Sequence, residues 1–234
     1  MTDLFLKMKH WQVFILTFAI PMIITFIMMG SMMSFMINEM VANNYDPANP
    51  DPLQSLALTF DMFDHVKYYY LIIIAFSMIF YVWIWSIVTG LQKRLQKSLQ
   101  KNATMNFKLF KIAFFSLLIS TLLIVGAMIY CFSFAKEIFV NGINDSNNVT
   151  TLGSIVPFLG LISIVYILVL AAMFYIFYFT AKTIKMAEYQ HDVKLSDYIA
   201  EIFMVWLLPI GIWFIQPKVN KIVSGEMKVE EEYK

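Results

Sequence analysis

Charge is scarce in this chain. Only 14% of its 234 residues are Asp, Glu, Lys or Arg, against about one quarter in an ordinary soluble domain. That shortfall excludes a soluble globular enzyme, and the apolar richness beside it excludes a disordered chain. Cysteine is nearly absent: Cys131 stands alone, so no disulfide forms within the chain and a disulfide-stapled secreted domain is excluded. The three histidines, His10, His65 and His191, fall in no HExxH or Cys/His spacing, so no metal and no other cofactor is expected. Net charge is +1, too little to hold a phosphate backbone, so nucleic acid is not an expected partner.

What the chain has in quantity is apolar surface: 60% of residues are hydrophobic and 17% aromatic. They cluster in charge-free blocks at 11–38, 68–92, 112–135 and 152–181. A spanning helix needs about 20 mostly apolar residues, and one charge at its centre costs roughly 2.5–3.5 kcal/mol. Four transmembrane helices are therefore expected. The first block is too long for a signal-peptide core and no small-x-small site follows it, so residues 2–10 are read as an interfacial lead, with Trp11 at headgroup level.

Basic residues set the expected orientation. Lys93, Arg94, Lys97, Lys101, Lys108 and Lys111 lie between the second and third blocks with no acid among them. Glu39, Asp46, Asp51, Asp61 and Asp64 lie between the first and second with only Lys67. With both termini inside, removing Lys67 and Lys136 from the seventeen Lys/Arg leaves fifteen on the inner side, the bias found in cytoplasmic segments.

The stretch 198–217 is apolar apart from Glu201 and Gln216. A re-entrant hairpin is the first reading: 198–208 dips in, Pro209-Ile210-Gly211 turns, and the chain climbs back to the inner face. A fifth transmembrane helix is the second; it carries Pro209 mid-helix and puts Lys218, Lys221, Lys228 and Lys234 outside. Residues 1–217 then form one transmembrane helical domain, and 218–234 a charged cytoplasmic tail.

Linker patterns add detail. Leu91/Leu95/Leu99 and Lys93/Lys97/Lys101 repeat every four residues, predicting that the second span continues as a basic helix. Lys93, Arg94, Lys97 and Lys101 then face anionic lipid, or serve only as a topology signal. The fourth span is expected to run on to Lys194, with Ser196-Asp197 capping the next helix. Residues 53–64 carry Leu56, Phe60 and Phe63 at helical spacing, which suits a helix on the outer surface.

Candidate chemistry is thin. Met28, Met32, Met36 and Met40 share a helical face; thioethers bind Cu(I), but without a Cys or His beside them packing explains the row better. No span carries a central acid, base or charge pair, which ion-coupled transporters usually keep. Ser31, Ser77, Ser86, Ser116, Ser120 and Thr121 supply modest polarity. Glu201, with Lys182, Lys185 or Lys218 as partner, is either a gate or docking residue or an interfacial anchor. Pro209, Gly211, Gln216 and Pro217 complete the candidate functional hairpin.

The ending Ser196-Asp197-Tyr198-Ile199-Ala200-Glu201-Ile202-Phe203, followed by Leu208-Pro209-Ile210-Gly211-Ile212-Trp213-Phe214-Ile215-Gln216-Pro217-Lys218-Val219-Asn220, resembles the tail of a group of small multi-pass membrane proteins of Bacteroidota-type bacteria. The start His10-Trp11-Gln12-Val13-Phe14, with Pro21 beyond it, is similar to theirs. The likeness covers about a quarter of the chain and implies a bacterial inner membrane, with no mechanism attached. The expected fold is thus all-α and polytopic. The expected function is an accessory or scaffold component in the lipid bilayer, bound to another membrane protein or to itself as a homo-oligomer. A small-solute or lipid transporter or channel is the alternative, with an intramembrane enzyme third.

Overall fold

The computed structural model describes residues 2–46, 48–49, 51–95, 99, 105–141 and 146–226. Among them the secondary structure is entirely helical. In chain order the helices are α1 (Thr2–Lys7), α2 (His10–Ala42), α3 (Pro52–Gln92), α4 (Phe107–Asn141), α5 (Ser146–Tyr189), α6 (Leu195–Trp206) and α7 (Leu208–Ser224). Four stretches are long and apolar enough to cross a membrane: His10–Ala42, Ile74–Gln92, Phe107–Glu137 and Ser163–Tyr189. They match the four charge-free blocks.

Local sequence explains the irregular points. Within α2, Ile15–Ala19 forms a π turn just ahead of Pro21, whose ring would strike the Thr17 carbonyl in a regular α-helix. Asn106 starts α4: its Oδ1 accepts from the N–H groups of Lys108 and Leu109 at 3.0 and 3.2 Å, satisfying donors that a helix start leaves orphaned. In the loop after α2, Asp46 Oδ1 accepts from Ala48 N–H at 2.9 Å, the local side-chain bond that favours Asp in turns.

Several boundaries differ from expectation. Helix α3 ends at Gln92 and Lys93–Leu95 form a turn, so the second span does not run on unbroken; most of the basic segment expected to continue it lies outside the described residues. Arg94 folds back to donate Nη1 to the Gly90 carbonyl at 3.2 Å, while Leu91 and Leu95 are buried. Lys97 and Lys101 lie outside the described residues. Helix α5 stops at Tyr189, not Lys194, because Gln190 takes a left-handed turn (φ 54°) and returns its N–H to the Met186 carbonyl at 2.8 Å. Residues 53–64 are the first turns of α3 itself, with Phe60 and Phe63 buried.

The C-terminal stretch does bend back on itself. The break falls at Leu207 (φ −84°, ψ 62°), not at Pro209-Ile210-Gly211. Pro209 occupies the first turn of α7, where its fixed φ and missing N–H cost nothing. Helix α7 runs on to Ser224, so residues 218–224 continue the helix, with Val219 and Ile222 buried.

The chain divides into two compact units. Unit one holds residues 1–22, 75–115 and 171–234. Its core is Trp83, Ile84, Ile87, Val88 and Leu91 of α3, Phe110 and Phe114 of α4, Ile176, Phe179 and Ile184 of α5, and Ile212 and Ile215 of α7. Aromatic rings link the helices: Trp85 to Phe114 at 4.9 Å, and Phe110 to Phe179 at 4.7 Å. Such pairs contribute about 0.5–1.5 kcal/mol beyond their burial. Leu6 of α1 packs so tightly on Gly90 of α3 that any side chain there would displace it.

Unit two holds residues 23–74 and 116–170. It is held by a few specific contacts. Phe63 stacks on Phe132 at 4.1 Å, and His65 stacks on Phe35 at 4.6 Å. His65 Nε2 also lies 2.9 Å from Ser31 Oγ. Lys136 pairs with both Asp61 and Asp64, and Lys67 with Asp64 at 2.9 Å. The lysine hydrogen bonds, Lys136 first and Lys67 second, hold the Asp64 carboxyl below its ordinary range.

Candidate functional site

The densest polar chemistry lies in unit one, where the last turns of α5 meet the α6–α7 hairpin. Lys185 Nζ is 3.2 Å from Glu188 and 3.1 Å from Glu201. Lys218 Nζ is 3.1 Å from Glu188 and 2.9 Å from Glu201. The four residues close a ring with no net charge. Helical spacing produces it: Lys185 and Glu188 lie three apart on one face of α5, and the bend at Leu207 brings Lys218 back beside Glu201.

Glu201 is buried, only 4% exposed. Both ammonium groups contact its Oε1, and Oε2 is buried with no hydrogen-bond partner among the described residues. Glu188 Oε2 lies close enough to both lysines for ion pairing, but without hydrogen-bonding angles. Removing one member of such a ring strands the others in a low-dielectric setting, which costs more than the ring itself contributes. Lys182, also buried, pairs instead with Asp192 at 3.2 Å. Of the three partners expected for Glu201, Lys185 and Lys218 are therefore found. Lys182, Lys185 and Glu188 sit in the last two turns of a candidate span; the charge-free block ended too early to include them.

Gln216 is fully buried and acts as a hub. Its Oε1 accepts from Trp83 Nε1 at 2.8 Å. Its Nε2 donates toward the carbonyls of Phe5 and Met8 at 2.7 and 3.0 Å and toward Asn220 Oδ1 at 3.1 Å. Asn220 Nδ2 donates to the Met8 carbonyl at 3.0 Å. The Gln216-Pro217-x-x-Asn220 spacing thus supplies two amides, one turn apart on α7, to the carbonyls that α1 leaves open at its end. His10 and Phe14 close the contact from α2, 4.6 and 5.7 Å from the Trp213 ring. Sequence spacing could show the two amides on one helical face, but not that the N-terminus is their partner.

Gly211 has a steric role. A methyl group there would overlap the Met204 carbonyl oxygen, so α6 and α7 approach backbone to backbone. Lys93 and Arg94 are exposed. Arg94 borders a cleft of about 310 Å³ together with Glu188, Gln190 and residues 222–225. His191 Nδ1 lies 2.7 Å from the Asp192 backbone carbonyl, while the Asp192 carboxylate is turned to Lys182, so these two do not form an acid–base pair. Among the described residues, no three His, Cys, Asp or Glu side chains converge as a metal-ligand set.

Five hydroxyls on the span helices bond back to their own helices, whereas Ser31 faces His65. Thr17 donates to the Val13 carbonyl, Ser86 to Val82, Thr89 to Trp85, Thr121 to Leu117 and Thr180 to Ile176, at 2.6–2.8 Å. This four-back bonding uses the donor of each of these hydroxyls within its own turn.

The chain matches no protein-family model, no curated protein and no solved structure.

Proposed function

We propose that this chain is a non-catalytic integral component of a bacterial inner membrane, an accessory or scaffold subunit that binds a membrane partner. The observation that carries the reading is the disposal of polarity. Five span hydroxyls return to their own backbone, and buried Glu201 of the hairpin closes an ion-pair ring with Lys185, Glu188 and Lys218. A transporter needs polar groups turned toward a solute. The transport alternative keeps one supporting feature, the backbone broken at Leu207.

The same reading includes a topology. Helix α7 lies along α3 in the same direction: Gln216 meets Trp83, and residues 222–225 meet Arg94. With Ile74–Gln92 crossing the bilayer, Leu208 lies about 12 Å deeper than Gln216, at 1.5 Å per residue. The turn at Leu207 therefore re-enters hydrocarbon, and residues 224–226 return to the side where α1 and the end of α3 lie. The basic residues between α3 and α4 make that side the cytoplasm. Exposed Lys93 and Arg94 face anionic headgroups there. The likeness of the tail to Bacteroidota-type membrane proteins supports the same compartment.

Cross-linking in native membranes, followed by affinity purification, tests the subunit reading. One other membrane protein recovered in fixed proportion is the expected result. Solute flux through vesicles containing only this chain would overturn it.

A further inference from the structure

Helix α1 is the least self-sufficient element of unit one. It has six residues, too few to hold a helix by propensity alone. Met8 is a bend and Lys9 is extended (φ −72°, ψ 152°), so α1 is jointed to α2 rather than continuous with it. Few contacts fix it in place. Leu6, 2% exposed, fills the notch that Gly90 leaves in α3. Gln216 Nε2 donates toward the Phe5 and Met8 carbonyls, and Asn220 Nδ2 to the Met8 carbonyl.

Helix α7 needs α1 in return. Gln216 is fully buried. With α1 gone, its Nε2 keeps Asn220 Oδ1 and loses both carbonyls, and Asn220 Nδ2 loses Met8. A buried donor left unmade costs the desolvation of that group in full, and α7 escapes the cost by shifting. The remaining polar ties of α7 run elsewhere, from Gln216 to Trp83 and from Lys218 to Glu188 and Glu201. The aromatic core of α3, α4 and α5 closes without α1: Trp85 meets Phe114, and Phe110 meets Phe179. Proteins open in cooperative units smaller than the whole, beginning where buried contacts are fewest.

We propose that residues 2–8 are a releasable strap on the hairpin. Undocking of α1 and loosening of α7 are one event, joined through the Gln216 and Asn220 amides, while the α3–α4–α5 core stays shut. The device stands on contacts within unit one, whatever the depth of the hairpin and whatever partner the chain binds.

The test locks and unlocks the strap in one protein. A Cβ on Gly90 would stand 3.2 Å from Leu6 Cγ, close enough for cysteines at the two positions to form a disulfide. The full-length chain carries Leu6→Cys, Gly90→Cys and Cys131→Ala, is returned to vesicles, and is compared oxidised and reduced by amide hydrogen exchange. Reduction should speed exchange at residues 2–8 and 212–222 together, by about tenfold or more, because the leucine that filled the notch is gone. Residues 107–117 of α4 should exchange equally in both forms. Leu6→Ala against the parent chain repeats the comparison where the cysteine pair does not fold, with the same expectation. Faster exchange at 2–8 with 212–222 unchanged overturns the coupling. Equal acceleration at 107–117 makes α1 part of the core and overturns the strap. Unchanged exchange at 2–8 overturns its release.

Discussion

The two units dispose of their apolar side chains in opposite ways. Nearly all buried apolar side chains among the described residues belong to unit one; Phe60, Phe63 and Leu117 are the exceptions in unit two. Among the side chains whose burial is described, the buried polar or charged ones, Ser86, Thr180, Lys182, Thr183, Glu201 and Gln216, are also in unit one. In α2, Val13 alone is buried, and it belongs to unit one. Unit two keeps Phe26, Ile27, Met29, Met33 and Ile37 exposed. Lipid tails are as apolar as leucine, so no hydrophobic force drives such faces together. Buried polar groups need partners from the protein, whereas an apolar face needs nothing but hydrocarbon.

The contrast can be broken by substitution, most strongly at Trp83. Trp83→Ala empties the core of unit one and strips Gln216 of its donor, with an expected loss of about 3–5 kcal/mol. Unfolding of the purified chain by denaturing detergent measures it; a loss inside the noise would mean that unit one is not the stable half. Gly211→Ala should cost about 1–3 kcal/mol, because α6 and α7 must separate. Cysteines placed on the two helices should then cross-link more slowly than in the parent.

Glu201→Ala should cost about 1–3 kcal/mol, since Lys185 and Lys218 keep only Glu188. Pairing it with Lys185→Met should recover part of that loss, because the stranded cation goes too. A double-mutant cycle gives the sign, and strict additivity would mean the ring is not coupled. By contrast, Met33→Ala in unit two should change stability by less than about 0.5 kcal/mol, and a core-sized loss would mean that its face is covered by protein.

The smallest effect should come from acid. Asp64 has a folded-state pKa below its ordinary 3.8. Its contribution is therefore present above that value and lost as pH falls through the lower, folded-state one. Asp64→Asn should remove this acid-limb dependence from the thermal midpoint and leave the neutral-pH slope unchanged.

Much of this contrast was legible in the sequence. Uninterrupted apolar blocks located all four spans, because hydrocarbon tolerates so little else. The pairing of Glu201 with Lys185 and Lys218 was among the options read from order alone. What could not be read were tertiary choices. Leu91 and Leu95 repeat at helical spacing, yet α3 ends between them, at Gln92. Pro209 and Gly211 looked like the turn itself, yet Pro209 starts a helix and Gly211 admits a carbonyl. Gln216 was singled out for chemistry and serves as a clamp on the N-terminus. A motif records that a residue type is required, not whether a ligand or a backbone carbonyl requires it.

The direct test of the compact unit and its returning hairpin is sidedness. Thr2→Cys and Ser224→Cys, each with Cys131→Ala, are treated with membrane-impermeant maleimide in sealed vesicles of known orientation. Labelling of both from the same, cytoplasmic, face is expected. Labelling from opposite faces would contradict the alignment of α7 with α3 and return residues 198–217 to a fifth span.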